Sequence, residues 1–344
     1  MRFLICGLGS VGRRHLRNLR ALGQEDIVLL RSGKSTLPDN DAMRGLSVES
    51  NLSLALDKWR PDAVIVSNPT ALHLDVAIPA AEAGCHLLIE KPVSHSLDRL
   101  DRLQEALARG GGKVLVGFQF RYHPGLQRAK QVLEEGRIGR PISARAHWGE
   151  YLPAWHPWED YRQSYSARAD LGGGVVLTLC HPLDYLRWLL GEAAVLWAAT
   201  GTLGDLDLEV EDTAEIVLRF ASGTLGSVHL DYCQRPPSHY LQVSGTEGSL
   251  HWDNSDGALT LYTAARESWE SFAPPAGFER NDLFLAEMRH FLAVIEGREA
   301  PRCTLEDGVR ALQLALAVHA SARTGADIRP AAGRREDIGG SRSV

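Results

Sequence analysis

The sequence predicts an α/β protein in two parts, a doubly wound parallel sheet followed by an antiparallel unit, and two features of its 344 residues predict it. In the first third, short apolar runs alternate with longer segments of helical period, the pattern of a parallel sheet covered by helices on both faces. From Pro141 onward the runs recur at short spacing with Gly or Asp turns between them, the pattern of antiparallel strands. A chain of this length has room for two units of roughly 100–200 residues each.

In order, the first strands are RFLIC, DIVLL, DAVIVS, HLLIE and KVLVG, and the segments VGRRHLRNLRALG and SLDRLDRLQEALARG between them carry helical periodicity. A Trp- and Tyr-rich stretch and one helical segment over residues 174–191 come next. AAVLWAATG, TAEIVLRFASGTLGSVHLDY, HYLQVSGTEGSLHW and ALTLYT then read as an antiparallel meander. Two amphipathic segments follow, LFLAEMRHFLAVIEG and LEDGVRALQLALAVHASA. The second opens on Thr304 with Asp307 three residues on, a capping-box-like start, and both are expected to return and close the structure. The final AAGRREDIGGSRSV has almost no apolar content and reads as a disordered tail.

Composition removes several classes of function. A net charge of −6 and a pI near 6.1 leave no basic stripe to track a phosphate backbone, so nucleic acid is not expected as a partner. Cys6, Cys85, Cys180, Cys233 and Cys303 are odd in number, scattered and without metal-ligand spacing, which reads as reduced thiols in a cytoplasmic protein that holds no metal. MRFLICGLGS reaches glycine too soon for a signal peptide, and no apolar run approaches the ~18 residues of a membrane span.

The motif with most chemical content is ICGLGSVGRRH. Gly7, Gly9 and Gly12 stand directly after the first strand and open a helix, so that Gly9, Ser10, Val11 and Gly12 bring backbone N–H groups close to a pyrophosphate. The second strand should end on the residue that meets the adenosine ribose, about 20 residues after the last glycine. An acidic side chain there would accept from both ribose hydroxyls, whereas this chain has Arg31, Ser32 and Lys34, which suit a 2′-phosphate. NADP is therefore the expected cofactor, with NAD also possible.

Lys91 follows the strand HLLIE at its carboxyl end, where a parallel sheet binds ligands, and Pro92 can fix a sharp turn there and take the cis form. An ammonium at that place can neutralise charge developing on a substrate oxygen or donate a proton to it. Gln119, Arg121, Tyr122 and His123 lie past the last strand of the first sheet, where nicotinamide and substrate should meet. Arg121 reads equally well as a structural ion-pair partner.

With the glycine loop, the E-K-P turn at Glu90–Pro92, FRYHP over Phe120 to Pro124, and the glycine-led GGGVVLTLCHPLDYLRWLLG with its histidine, the chain resembles the glucose–fructose oxidoreductase/inositol dehydrogenase (Gfo/Idh/MocA) family over nearly all of its length up to about residue 325. The resemblance implies a Rossmann domain over 1–122 and an α/β substrate-binding and oligomerisation domain with a large, mostly antiparallel sheet over 123–325, leaving 326–344 as tail. It implies hydride transfer between a nicotinamide and a carbon bearing a hydroxyl or oxo group of a sugar, keto-sugar, inositol or activated sugar. Lys91 matches the lysine that contacts nicotinamide and substrate, and His181 the histidine that carries the proton. Asn68, Pro69, His73, Glu90 and Gln119 are implied cofactor contacts. Family members often place an aspartate three or four residues before that histidine; here Thr178 and Leu177 stand there, so Thr178 is left to orient the imidazole and Asp184, three residues after it, to compensate.

Immediately before that helix, HWGEYLPAWHPWEDYRQSYSARADLGGG concentrates Trp148, Tyr151, Trp155, His156, Trp158, Tyr161, Arg162, Tyr165 and Arg168. Aromatic faces pack sugar rings and arginines hold carboxylate or phosphate by paired hydrogen bonds, which suggests a polyol site with an anionic handle. The same aromatics would also serve to wedge two domains together. A large sheet covered on one side exposes apolar surface, so a homodimer or homotetramer is expected. The rival readings are an NAD-linked inositol or sugar dehydrogenase, a glycosidase that holds NAD for transient oxidation, and a dinucleotide-binding sensor that has lost catalysis.

Overall fold

In the computed structural model, which describes residues 1–33 and 43–330, the first apolar run becomes β1 (Phe3–Cys6) with all four residues buried, as a strand covered on both faces must be. It is followed by α1 (Ser10–Ala21), β2 (Ile27–Leu30), β3 (Ser47–Glu49), α2 (Leu52–Trp59), β4 (Ala63–Val66), α3 (His73–Glu82), β5 (His86–Glu90), α4 (Leu100–Gly110) and β6 (Val114–Gly117). The sheet runs β3-β2-β1-β4-β5-β6 with every pair parallel. Strand order reverses between β1 and β4, and the crevice beyond their carboxyl ends is where an open α/β sheet takes its ligand. The β3 strand escapes the sequence reading because SVE carries no apolar run and is not buried.

After α5 (Pro124–Glu134) come β7 (Pro141–Gly149), α6 (Val175–Thr178), α7 (His181–Leu190), β8 (Ala193–Gly201), β9 (Thr213–Phe220), β10 (Leu225–Asp231), β11 (Ser238–Gly245), β12 (Gly248–Asp253), β13 (Leu259–Thr263) and β14 (Ser268–Phe272). They form one sheet in the order β14-β13-β12-β11-β7-β10-β9-β8. The expected meander is thus broken: β7 enters between β10 and β11, parallel to β10 and antiparallel to β11. Alternation fixes which face of a strand is buried but not which strand lies beside it, so this insertion leaves no local mark. In β9 the buried set Ala214, Ile216, Leu218 and Phe220 alternates with exposed residues, and helices α5, α6, α7 and α9 cover only the buried side.

The segment over 174–191 is not one helix. Pro182 has no N–H to return to the carbonyl of Thr178, so the chain ends α6 at Thr178 and starts α7 at His181.

α8 (Arg280–Ile295) and α9 (Leu305–Thr324) do close the structure, α8 on α1 and α9 on β6, α7 and β8. Lys113 Nζ donates to the Val294 carbonyl at 2.6 Å, and the Val116 N–H to the Cys303 carbonyl at 3.0 Å, which covers the β6 edge of the first sheet with the chain's last third. The ordered chain extends past residue 325: Ile328 pairs with Leu196 of β8 at 2.7 and 2.8 Å, so part of the expected tail is held to the sheet edge, and residues 331–344 lie outside the described residues. Among the described residues no helix is long and apolar enough to cross a membrane, and the five cysteines are unpaired thiols.

Candidate active site

At the start of α1 the backbone does what the three glycines allow. Gly7 sits at φ +93°, where a Cβ would fall 2.5 Å from the Asn68 nitrogen, and a Cβ on Gly12 would fall 2.0 Å from the Gly7 carbonyl oxygen. Gly9 differs, because nothing lies within 4 Å of its Cβ position. It is the N-cap of α1, makes no side-chain cap and has no acidic residue in the turn that follows, so the N–H groups at Ser10 and Val11 face open space. Room beside unsatisfied donors fits a dinucleotide pyrophosphate. Arg31 and Ser32 follow β2, with the Arg31 N–H on the Glu49 carbonyl at 2.9 Å; Lys34 lies outside the described residues.

Asn68 and Pro69 follow β4, and Asn68 Nδ2 donates to the Leu72 carbonyl at 2.9 Å. His73 does not reach the crevice: it is 1% exposed, with its ring nitrogens 3.0 Å from the carbonyl oxygens of Pro92 and Asn68, so it ties the two loops from beneath. Glu90 likewise turns inward. One carboxylate oxygen lies 2.7 Å from His15 Nε2, and the other accepts the Lys91 N–H at 3.3 Å. Gln119 is buried in the turn after β6.

Lys91, joined to Pro92 by a cis peptide bond just past β5, donates from Nζ to the Thr178 carbonyl at 2.6 Å. That carbonyl is available because the residue four places on is Pro182, which cannot bond to it. Burial alone would lower the ammonium's pKa, but Tyr165, Cys180 and Glu90 around it bring it above the ordinary lysine value. Lys91 is therefore charged at neutral pH.

His181 opens α7, is 1% exposed and is walled by the rings of Phe120, Phe118 and Trp148 with centroids at 5.0, 5.4 and 5.4 Å. Burial first and Lys91 second hold its pKa well below the usual range, so the imidazole is neutral beside a charged ammonium. Its Nδ1 has no hydrogen-bond partner. Neither expected substitute for the family aspartate serves it. Thr178 meets Lys91 with its carbonyl, and Asp184 gives both oxygens to Arg121, at 2.7 Å from Nη2 and 2.9 Å from Nε.

Arg121 is thereby fixed as a buried ion-pair partner, with its remaining nitrogen on the Arg302 carbonyl at 2.6 Å. Tyr122 packs behind it against His290 and Arg302. His123 accepts the Gly125 N–H at 3.0 Å as the cap of α5, and burial lowers its pKa to about 4. Of the aromatic stretch, Tyr165 comes to Lys91, Trp155 packs edge-on to Tyr232 at 5.6 Å, and Tyr151 stacks under Arg235 at 4.1 Å. The proposed anionic handle is neutralised at the surface: Arg162 pairs with Asp160 at 2.9 Å and Arg168 with Asp170 at 2.5 Å, with Tyr161 beside Arg162.

Two residues at the site had no place in the sequence reading. His239 on β11 stacks on Trp148 at 4.3 Å and is only 5% exposed. Its inward position in the alternation with Leu241 and Val243 was the signal available, a histidine in an apolar register. Arg280, the first residue of α8, lines a cavity of about 250 Å³ together with Phe120, Trp148, His123, Glu150 and Asp256. Nothing in its local sequence marks it.

Comparison with known proteins agrees with this fold. A family model described as an oxidoreductase family with an NAD-binding Rossmann fold matches residues 1–118, and the GFO/IDH/MocA C-terminal domain matches residues 126–251. A 1,5-anhydro-D-fructose reductase of Ensifer adhaerens is 32% identical over 77% of this chain and 78% of its own. A myo-inositol 2-dehydrogenase of Thermotoga maritima is 28% identical over 93% and 96%, whereas the match to an uncharacterized oxidoreductase of Bacillus subtilis spans 62% of that protein. A levoglucosan dehydrogenase in complex with NADH and levoglucosan shares the fold at a TM-score of 0.85, covering 96% of this chain and 99% of that one at 22% identity.

Proposed function

The chain belongs to the GFO/IDH/MocA oxidoreductase family, and we propose that it moves a hydride between NADP and a hydroxyl- or oxo-bearing carbon of a sugar, inositol or activated sugar, with Lys91 and His181 handling the proton. The observation that carries this reading is the pairing of a charged ammonium from the end of β5 with a neutral imidazole from the start of α7, at the ligand-binding edge of the first sheet. A dinucleotide held at the glycine loop would supply the hydride chemistry at its nicotinamide. In the oxidative direction the neutral His181 takes the hydroxyl proton while the Lys91 ammonium steadies the oxygen as negative charge builds on it. In the reductive direction Lys91 polarises the carbonyl oxygen and a protonated His181 returns the proton to it. The aromatic rings around His181 exclude water and offer apolar faces to a sugar ring.

NADP preference is supported by Arg31 at the carboxyl end of β2 and by the engagement of Glu49 at the end of the neighbouring strand, one of whose carboxylate oxygens takes both Lys58 Nζ and Trp59 Nε1, each at 2.8 Å. The uncovered face of the large sheet exposes Trp197, Val217 and Leu225, which supports a homodimer or homotetramer.

The test is a panel of hexoses, inositols and sugar nucleotides followed by nicotinamide absorbance with either cofactor, together with dissociation constants for Arg31→Asp. Turnover on a member of the panel with a lower Kd for NADP than for NAD is expected, and Arg31→Asp should weaken NADP by about 1.5–3 kcal/mol while sparing NAD. Equal weakening of both cofactors overturns the NADP assignment. Tight dinucleotide binding with no turnover across the panel would favour a sensor.

A further inference from the structure

Where α1 crosses α8, three arginines meet without an acid. Arg14 lays its guanidinium over the Phe284 ring at 4.4 Å; Arg280 stands one helical turn before Phe284 on α8 and Arg17 three residues beyond Arg14 on α1, and after burial these two cations are what hold its pKa below the ordinary arginine range. Among the described residues none of the three has an ion-pair or hydrogen-bond partner. The acid with most influence on Arg14 is Glu90, and its carboxylate is already 2.7 Å from His15 Nε2. Elsewhere the surface arginines Arg99, Arg162 and Arg168 each have an aspartate. In a chain with 43 acidic residues against 37 basic ones, an unpartnered cluster of like charges is not explained by a shortage of acids. Like charges repel, so the cluster is complementary to an anion that the fold does not itself provide.

Position says which molecule carries that anion. Arg14 is two residues beyond Gly12 of the pyrophosphate loop, but Arg280 lines the 250 Å³ cavity whose walls, Phe120 and Trp148, are also the walls of His181. The cluster therefore lies between the cofactor loop and the space where substrate meets the proton-carrying histidine. Guanidinium groups bind phosphoryl oxygens through paired N–H donors, and two of them suit a doubly charged group. Glu150 and Asp256, the carboxylates in the cavity lining, form no ion pair with Arg280 and are placed to accept hydroxyls of a sugar.

Resting on the oxidoreductase reading above, we propose that Arg14 and Arg280 form a second anion site, separate from the glycine loop, that holds the phosphoryl group of an activated sugar while the sugar lies against Trp148. The experiment uses inorganic pyrophosphate as probe and the full-length protein saturated with NADH, titrated by calorimetry. Pyrophosphate is expected to bind the NADH-loaded protein, and Arg280→Gln, at an exposed position, should weaken it by about tenfold or more, the loss of one charge-assisted contact, with Kd for NADH nearly unchanged. Arg14→Gln should weaken it similarly. If pyrophosphate instead displaces NADH, the arginines serve the cofactor and the proposal is wrong. It is equally wrong if the loaded protein binds no pyrophosphate or if Arg280→Gln binds it as well as the wild type. Because binding is read and not turnover, a protein that transfers no hydride can still pass this test, and an active one can fail it.

Discussion

Glu287 shows at the scale of one residue how much of this site lies beneath its visible groups. It is fully buried on α8, both carboxylate oxygens lack a partner, and burial first and Glu90 second hold its carboxyl well above the usual range. It thus holds its proton to a higher pH in the folded state than in the unfolded one. A folded-state pKa above the unfolded value of about 4.3 contributes stability that is complete below that pH and is lost as pH rises. Glu287→Gln removes the titration. Wild type should therefore lose about 1.4 kcal/mol per pH unit relative to the variant, from about pH 4.3 up to the folded-state pKa. Denaturant unfolding of both proteins at pH 5 and pH 8 measures it: the difference should move in the variant's favour at pH 8, and a difference independent of pH would contradict the buried proton.

At the scale of elements, the glycine loop was legible because each glycine answers a backbone need, and the three needs differ. Gly12→Ala drives a Cβ into the Gly7 carbonyl, a backbone atom that cannot step aside, and should cost about 1–3 kcal/mol of stability. Gly9→Ala meets nothing in the protein and should leave stability within about 0.5 kcal/mol while weakening NADPH binding, because the methyl takes the room left for pyrophosphate. Unfolding curves without cofactor and Kd values with it separate the two; a Gly9→Ala protein that binds normally would remove pyrophosphate from the loop. The apolar runs located β1, β2, β4, β5 and β6 and most strands of the second sheet, since buried strands need continuous or alternating apolar residues. The helix break before His181 was also legible, in the four-residue step from Thr178 to Pro182, yet the glycine-led segment reads as one helix unless carbonyls are counted. What no local pattern held was partnership: the insertion of β7, and Asp184 taken by Arg121 and not by His181, depend on residues brought together from far along the chain.

At the scale of the whole molecule, the site exists only because the two sheets and the helices α8 and α9 are assembled together. Lys91 comes from the end of β5 in the first sheet, Trp148 from β7 in the second, His181 from the start of α7, and Arg280 from the helix that returns to pack on α1. The buried ion pair of Arg121 with Asp184 at 2.7 Å, reinforced by Asp307 at 3.4 Å, joins the turn after β6 to α7, which His181 opens, and to α9. The central claim is that Lys91 and His181 act on one proton path across that junction. The direct measurement is kcat and cofactor Kd for Lys91→Ala, His181→Ala and the double variant. Each single change should lower kcat by ~10²–10⁴-fold, the double variant should fall well short of the product of the two, and all three should bind dinucleotide. Near-normal turnover in Lys91→Ala, or losses that multiply in full, would contradict a shared path between them.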